Sequence, residues 1–417
     1  MATTSPADFN LFDPAVMECP YPFYEALRTE APVYELPGFG VYLVTRYDDI
    51  VEALRTPEVF SSDLAKAGSG SVVGLFSPPP TDEIKEILSH GYPAAKTLLL
   101  NDPPSHTRYR ALVSKAFAPR RVAQMEDGIR ALAHELIDAF VGDRRVELIR
   151  QFAVPLPLTV IADALGVPRS ELATFKRWSD NAVAPLGKLL DHDQQVEVAR
   201  SYVELQTYFA AKIDERRREP EDDMLTDLVD ARIDDEALTT VELLDIVQQM
   251  LVAGNETTTK LIGSAMLQLL EHPDAMDSVL ADRSLIPNLI EETLRIEAPV
   301  QGLFRVAARD TKLGGVPIPG GSPLVMLYGS GNRDDAAFPD AARFDLHRDH
   351  SRAHLAFGLG THYCVGAALS KAEGRIAFEA LLDRLRNVAL ETPGPQPYEH
   401  NFVFRGLEEL RLVFEPA

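Results

Sequence analysis

Two cysteines in 417 residues leave no room for a disulfide framework, a four-cysteine zinc site or an iron–sulfur cluster, and agree with a reducing compartment. Positive charge is short as well. The 41 lysines and arginines face 63 aspartates and glutamates, a formal net charge of −22, which argues against nucleic acid or anionic membrane surfaces as partners. No apolar run near the start resembles a signal or an anchor: the first twenty residues carry Asp8, Asp13 and Glu18, so a cytoplasmic protein without a membrane anchor is expected. Low-complexity linkers, repeats and composition breaks are missing too, and nothing divides the chain into the two or three domains that its length alone suggests. What the chain does have is apolar mass. Its 46% of hydrophobic residues can bury a large core together with an internal ligand.

One of the two cysteines lies in Phe357-Gly358-Leu359-Gly360-Thr361-His362-Tyr363-Cys364-Val365-Gly366-Ala367, a glycine-bracketed loop that runs into an amphipathic helical pattern. A thiolate kept ionised beneath a porphyrin needs backbone N–H groups aimed at its sulfur, hence tight turns with few Cβ atoms. Gly358 and Gly360 permit those turns. The helical pattern through Ala367, Ala368, Leu369, Ala372, Ile376 and Ala377 starts just after the sulfur and lends its N-terminal dipole to the anion. Gly366 keeps the first turn thin enough to lie against a flat macrocycle, and Phe357 is placed to keep water off the sulfur. A thiolate ligand favours O–O cleavage, whereas a histidine ligand suits carriage or peroxidase chemistry. A lone cysteine is more often an inert core residue; the joint pattern reverses that expectation.

The segment resembles the haem-ligand loop of the cytochrome P-450 family, Phe-x-x-Gly-x-x-x-Cys-x-Gly, with every position filled, and further landmarks extend the resemblance from about Pro20 to Leu412. It implies a mainly α chain with small β-sheets, an α+β fold forming one triangular, helix-rich domain around a buried haem. Within 1–417, an N-terminal sheet region and long loop would occupy about 20–100, a helical core 101–295, and the haem loop with a C-terminal sheet 296–417. The cofactor implied is haem b, iron protoporphyrin IX, with Cys364 as the axial ligand of the iron. The reaction implied is hydroxylation of an apolar small molecule with one atom of dioxygen. Electrons from NAD(P)H would come through a separate ferredoxin, of the 2Fe-2S or a similar kind, or a flavodoxin, with its reductase. A peroxide-driven peroxygenase and a non-catalytic haem sensor or carrier are the rival readings.

Residue patterning agrees with such a fold. Strand signals fall at 33–35 and 41–45, a helix at 47–55, and a stretch rich in Gly, Ser and Pro at 60–100 that reads as a long loop. Helical patterns dominate 105–295, and strand-like pieces recur at 300–305, 324–328 and 403–413. Thr239-x-x-Glu242 is a capping box opening a helical run that Pro273 stops. In its middle, Met250-Leu251-Val252-Ala253 gives way to Gly254-Asn255-Glu256-Thr257-Thr258-Thr259, residues that weaken a helix and invite side chain to backbone bonding. The family pattern Ala/Gly-Gly-x-Asp/Glu-Thr maps onto Ala253, Gly254, Asn255, Glu256 and Thr257. It implies close backbone approach to the iron at Gly254, a hydrogen bond to dioxygen from Thr257 and proton relay by Glu256. A threonine-rich kink without chemistry is the plain alternative.

The resemblance supplies further roles. Glu292 and Arg295 match the Glu-x-x-Arg pair, with Arg343 as its third member. His106, Arg110, Arg305 and His362 match the positions that neutralise haem propionates. The substrate pocket is expected from Leu75, Phe76, Val252, Val300, Gln301, Leu303, Phe402 and Val403, with Gln301 as a polar anchor. A redox partner is expected behind Cys364, against Arg108, Arg352, Lys371 and Arg375.

Overall fold

The computed structural model describes residues 5–11, 13–67, 79–187, 190–233, 235–349 and 351–417. The chain opens with helices α1 (Pro14–Glu18) and α2 (Tyr21–Glu30), the hairpin β1 (Val33–Leu36) and β2 (Val41–Val44), then α3 (Tyr47–Arg55) and β3 (Phe60–Ser61). A helical stretch follows: α4 (Asp82–Ser89), α5 (Ser105–Ala116), α6 (Pro119–Asp138), the short strand β4 (Arg145–Glu147), α7 (Pro155–Ala164), α8 (Leu172–Val183) and α9 (His192–Arg218). It continues through α10 (Met224–Asp230), the two-residue strands β5 (Arg232–Ile233) and β6 (Glu236–Ala237), α11 (Thr240–Glu271), α12 (Pro273–Ala281) and α13 (Ile286–Ile296). The last third holds β7 (Leu303–Ala307), β8 (Thr311–Leu313), β9 (Val316–Ile318), β10 (Pro323–Met326), α14 (Tyr328–Gly331), α15 (Ala367–Arg384), β11 (Leu385–Leu390) and β12 (Arg411–Pro416). The architecture is mainly α with small sheets, as the sequence predicts.

The long helix α11 organises the rest. Its capping box is formed as expected: the Thr239 amide donates to Glu242 Oε2 at 2.7 Å, and the Glu242 amide donates to Thr239 Oγ1 at 3.3 Å. The helix runs 32 residues to the edge of Pro273, about 48 Å at the usual rise per residue. Every residue from Thr258 to Leu269 is buried, because α7, α9, α13 and α15 all pack on it. A helix covered on all sides must bury its polar groups in pairs. That requirement governs the site.

One sheet has the order β1-β2-β10-β7-β3; β10 runs parallel to β2, and the other neighbours are antiparallel. It sets Arg305 of β7 opposite Leu324 of β10. A second sheet, β11-β12-β4, is closed by the C-terminal strand. Two expectations need correction. Residues 60–100 are not loop throughout, since α4 forms there, capped by Thr81 and buried through Ile84; the neighbouring prolines mask that signal. The expected strand at 403–413 is only β12, and the residues before it form a hairpin in which Tyr398 bridges Leu407.

Arg343 is also corrected. Glu292 and Arg295 are fully buried and joined twice, Arg295 Nε to Oε2 at 2.8 Å and Nη2 to Oε1 at 2.7 Å. The second guanidinium on Glu292 is Arg348, whose Nε donates to Oε1 at 3.0 Å. Arg343 contributes only its backbone carbonyl, which accepts from Arg295 and Arg348, and its side chain is exposed. The turn through Asp340, at φ 52°, and the loop after it swing the later arginine back onto the glutamate. Glu292→Gln leaves two buried guanidinium groups short of an anion and is expected to lower stability by about 3–5 kcal/mol. Arg343→Ala is expected to change it by less than about 0.5 kcal/mol. Unfolding midpoints of the two variants check both values.

Candidate active site

Cys364 sits between a strained turn and a helix start. Its amide donates to the Phe357 carbonyl at 2.9 Å, closing the loop. Gly358 and Gly360 adopt φ of +66° and +68°, where side chains are disfavoured, and a Cβ on Gly360 would stand 2.8 Å from the Leu54 carbonyl oxygen. Burial pushes the Cys364 thiol up; the backbone N–H groups of Gly366 and Ala367, with Arg110, pull the other way by favouring the thiolate. Gly366 stands at the N-cap of α15, so helix start and sulfur stabilisation are one feature. Phe357 is half-buried among His354, Tyr363 and the Lys371 ammonium, which lies 5.2 Å from its ring centre.

Four cationic or ionisable side chains expected from separate segments meet beside this loop. His106 of α5 and His362 lie 4.2 Å apart between ring centres. Arg110 is one turn after His106, and Arg305 enters from β7. Burial, then Arg305 and His106, push His362 down to about 3. Burial, then Arg110, likewise lowers His106, whose buried Nδ1 has no hydrogen-bond partner among the described residues. Burial lowers Arg110 also. Asp102 is close, but its carboxylate is taken by Lys66, Ser61 and Ser62. The Arg305 guanidinium donates to the Phe304 carbonyl, and neither it nor Arg110 forms an ion pair among the described residues. Two guanidinium groups without ion pairs among the described residues, flanked by two imidazoles held neutral and next to a sulfur served by two N–H groups, fit a macrocycle with two carboxylates and a metal that takes a thiolate.

Across α11, Thr257 Oγ1 donates back to the Ala253 carbonyl at 2.7 Å, the intrahelical bond that bends helices. Glu256 is held by Lys260, Oε1 to Nζ 2.7 Å. Asn255 reaches Ser179 Oγ at 3.1 Å, and Thr258 and Ser370 hydroxyls lie 3.1 Å apart. A Cβ on Gly254 would meet Ile161 at an ordinary 3.5 Å, so α7 does not demand glycine there.

Val252, Val300, Phe402 and Val403 come together in one apolar cluster with Val183 and Phe404. Leu303 packs with Val300 beside the sheet, while Leu75 and Phe76 lie outside the described residues. Gln301 is corrected: it is buried, its Nε2 donates to the Ala298 carbonyl at 2.7 Å, and its amide end fills the space over Gly329. Its Oε1 has no hydrogen-bond partner among the described residues. The expected partner-facing charges are mostly spoken for. Arg108 pairs with Glu242 and Glu236, Lys371 with Glu291, and Arg375 with Glu126 and Glu379, which leaves exposed Arg352.

Sequence patterning did not point to Lys260, Glu399 or Glu373. Lys260 stands four residues after Glu256, a spacing that does signal a helical pair. Glu373, nine residues after Cys364, gave no such sign.

A family model described as Cytochrome P450 matches residues 170–408. Cytochrome P450 monooxygenase PikC of Streptomyces venezuelae is 36% identical over 94% of this chain and 90% of its own length. The structure of cytochrome P450 CYP109Q5 from Chondromyces apiculatus covers 99% of both chains at 37% identity and a TM-score of 0.87. CYP109E1 from Bacillus megaterium, solved in complex with corticosterone, covers 96% of this chain and 99% of its own at 31% identity and a TM-score of 0.83. The chain belongs to the cytochrome P450 family. It is a haem monooxygenase that takes haem b, uses dioxygen and receives electrons from NAD(P)H through redox partners.

Glu373 is buried on α15, and burial, opposed by a hydrogen bond from Thr258, pushes its carboxyl up to about 8. The folded protein therefore holds a proton that the unfolded chain releases near the ordinary glutamate value. Stability from this group is complete below that value and falls as pH rises through about 8. Glu373→Gln is expected to flatten the decline of the unfolding midpoint between these limits and to gain a few kcal/mol at the alkaline end. An unchanged pH profile would remove the protonated acid from this account.

Proposed function

We propose that this protein hydroxylates an apolar small molecule, with electrons from a separate ferredoxin or flavodoxin and its reductase. The observation that carries the reading is the Cys364 sulfur facing the N–H groups of Gly366 and Ala367 beside two arginines without ion pairs among the described residues and two stacked imidazoles. Haem bound at that sulfur supplies dioxygen activation, and thiolate ligation favours O–O cleavage. His106, Arg110, Arg305 and His362 would hold its propionates. Phe357, with Tyr363 and Lys371 around it, screens the sulfur from water. With haem bound, Ala253 and Gly254 would present a thin helix surface to it, Thr257 would turn its hydroxyl from the Ala253 carbonyl toward dioxygen, and Glu256 would carry protons inward from solvent.

Val252, Val300, Leu303, Phe402 and Val403 orient the substrate and keep water from it. An apolar substrate is supported by their chemistry and by the packing of Val252, Val300, Phe402 and Val403 into one apolar cluster. A steroid-sized molecule suits that character, as does the corticosterone complex of the Bacillus megaterium relative. The whole chain acts as one domain, and two unpaired cysteines suit work in the cytoplasm. A peroxide-driven enzyme or a haem sensor has no use for the Glu256 and Thr257 pair.

Thr257→Ala is expected to lower product formed per electron pair by about tenfold or more, with peroxide released in its place and the haem spectrum unchanged. Parallel assays of NAD(P)H, peroxide and product check this. Unchanged coupling would assign proton delivery to another group.

A further inference from the structure

The acid on α11 shares its cation. Lys260 Nζ lies 2.7 Å from Glu256 Oε1 and 2.8 Å from Glu399 Oε1, and Lys260 is 2% exposed. With water excluded, the ammonium depends on these two carboxylates for its stability. Glu399 belongs to the hairpin that precedes β12: its amide donates to the Gly406 carbonyl at 2.9 Å, and Tyr398 bridges Leu407. The aliphatic stem of Lys260 passes so close to Gly406 that a Cβ there would collide with it. The hairpin thus grips both ends of the lysine.

The same hairpin carries Phe402 and Val403. Asn401 braces it, with Oδ1 accepting from the amides of Val403 and Phe404 and Nδ2 donating to the Leu186 carbonyl at 2.8 Å. One positive charge cannot saturate two carboxylates; the one that it holds less firmly is the better proton acceptor.

We propose that Lys260 and Glu399 are positioning residues that set how firmly Glu256 is held, so that the hairpin bearing Phe402 and Val403 governs the release of Glu256 for proton transfer. This rests on the reading of Glu256 as the proton-carrying acid. When the ammonium leans toward Glu399, the Glu256 carboxylate accepts a proton delivered from bulk hydronium through water and passes it toward Thr257, returning to its ionised form. When the ammonium leans toward Glu256, the carboxylate stays ionised and proton delivery slows.

Two measurements on the haem-loaded full chain test this. The first compares the unfolding free energies of Glu256→Gln, Glu399→Gln and the double variant. A shared ammonium predicts small losses for each single change, a loss for the double greater than their sum, and recovery when Lys260→Met is added to the double. Additive losses without recovery would overturn the sharing. The second follows NAD(P)H oxidation with surrogate redox partners in light and heavy water. Glu399→Gln commits the lysine to Glu256 and is expected to slow turnover about tenfold, with a larger solvent isotope effect; Glu399→Asp restores both. If Glu256→Gln itself changes neither rate nor isotope effect, the reading of Glu256 as the acid fails. If Glu256→Gln changes them and Glu399→Gln does not, the present inference fails.

Discussion

The burial of the Cys364 sulfur is the constraint around which the molecule is arranged. Burial alone favours the neutral thiol, and the protein opposes it with the amides of Gly366 and Ala367 and the charge of Arg110. Those amides are available because α15 begins there and its first N–H groups have no intrahelical acceptor. The loop reaches them by way of Gly358 and Gly360 in left-handed conformations. The loop is footed on α13 through His354 Nε2, 3.2 Å from Glu291 Oε2, and through Lys371, 2.7 Å from the other oxygen of that carboxylate. Next on α13 is Glu292, whose pairing with Arg295 and Arg348 fixes the irregular segment before the loop.

The charge distribution inverts between surface and interior. The chain is strongly acidic overall, yet the region beside Cys364 collects His106, Arg110, Arg305 and His362 with scarcely an acid to match. Elsewhere, buried cations are paired: Arg333 and Arg405 both close on Glu297, at 2.9 and 2.8 Å, and Lys260 closes on Glu256 and Glu399. The paired clusters hold elements together, since isolated buried charge is costly. On the proposed reading, the unmatched arginines are where an anionic ligand would sit.

Much of this was legible in the sequence because the governing physics is local. The capping box at Thr239, the stop at Pro273, the hairpin of β1 and β2 and the glycines of the cysteine loop depend on neighbours a few residues apart. Four residues expected to clamp propionates were found together because each sits on a recognisable landmark. What failed was longer in range or hidden by composition. Arg348 displaces Arg343 because a left-handed residue at Asp340 redirects the chain, which no side-chain pattern announces. Gln301 looked like a polar group in an apolar lining, but backbone geometry turns its amide onto Gly329 and Ala298. Helix α4 was masked by adjacent prolines, and Glu399 reaches Lys260 across 139 residues of chain.

The most direct test is the absorption spectrum of the purified, reduced protein under carbon monoxide. Thiolate ligation by Cys364 predicts the red-shifted band of a thiolate-ligated haem, lost when Cys364 is replaced by serine. A spectrum of an imidazole-ligated porphyrin, or the same band persisting in Cys364→Ser, would contradict it.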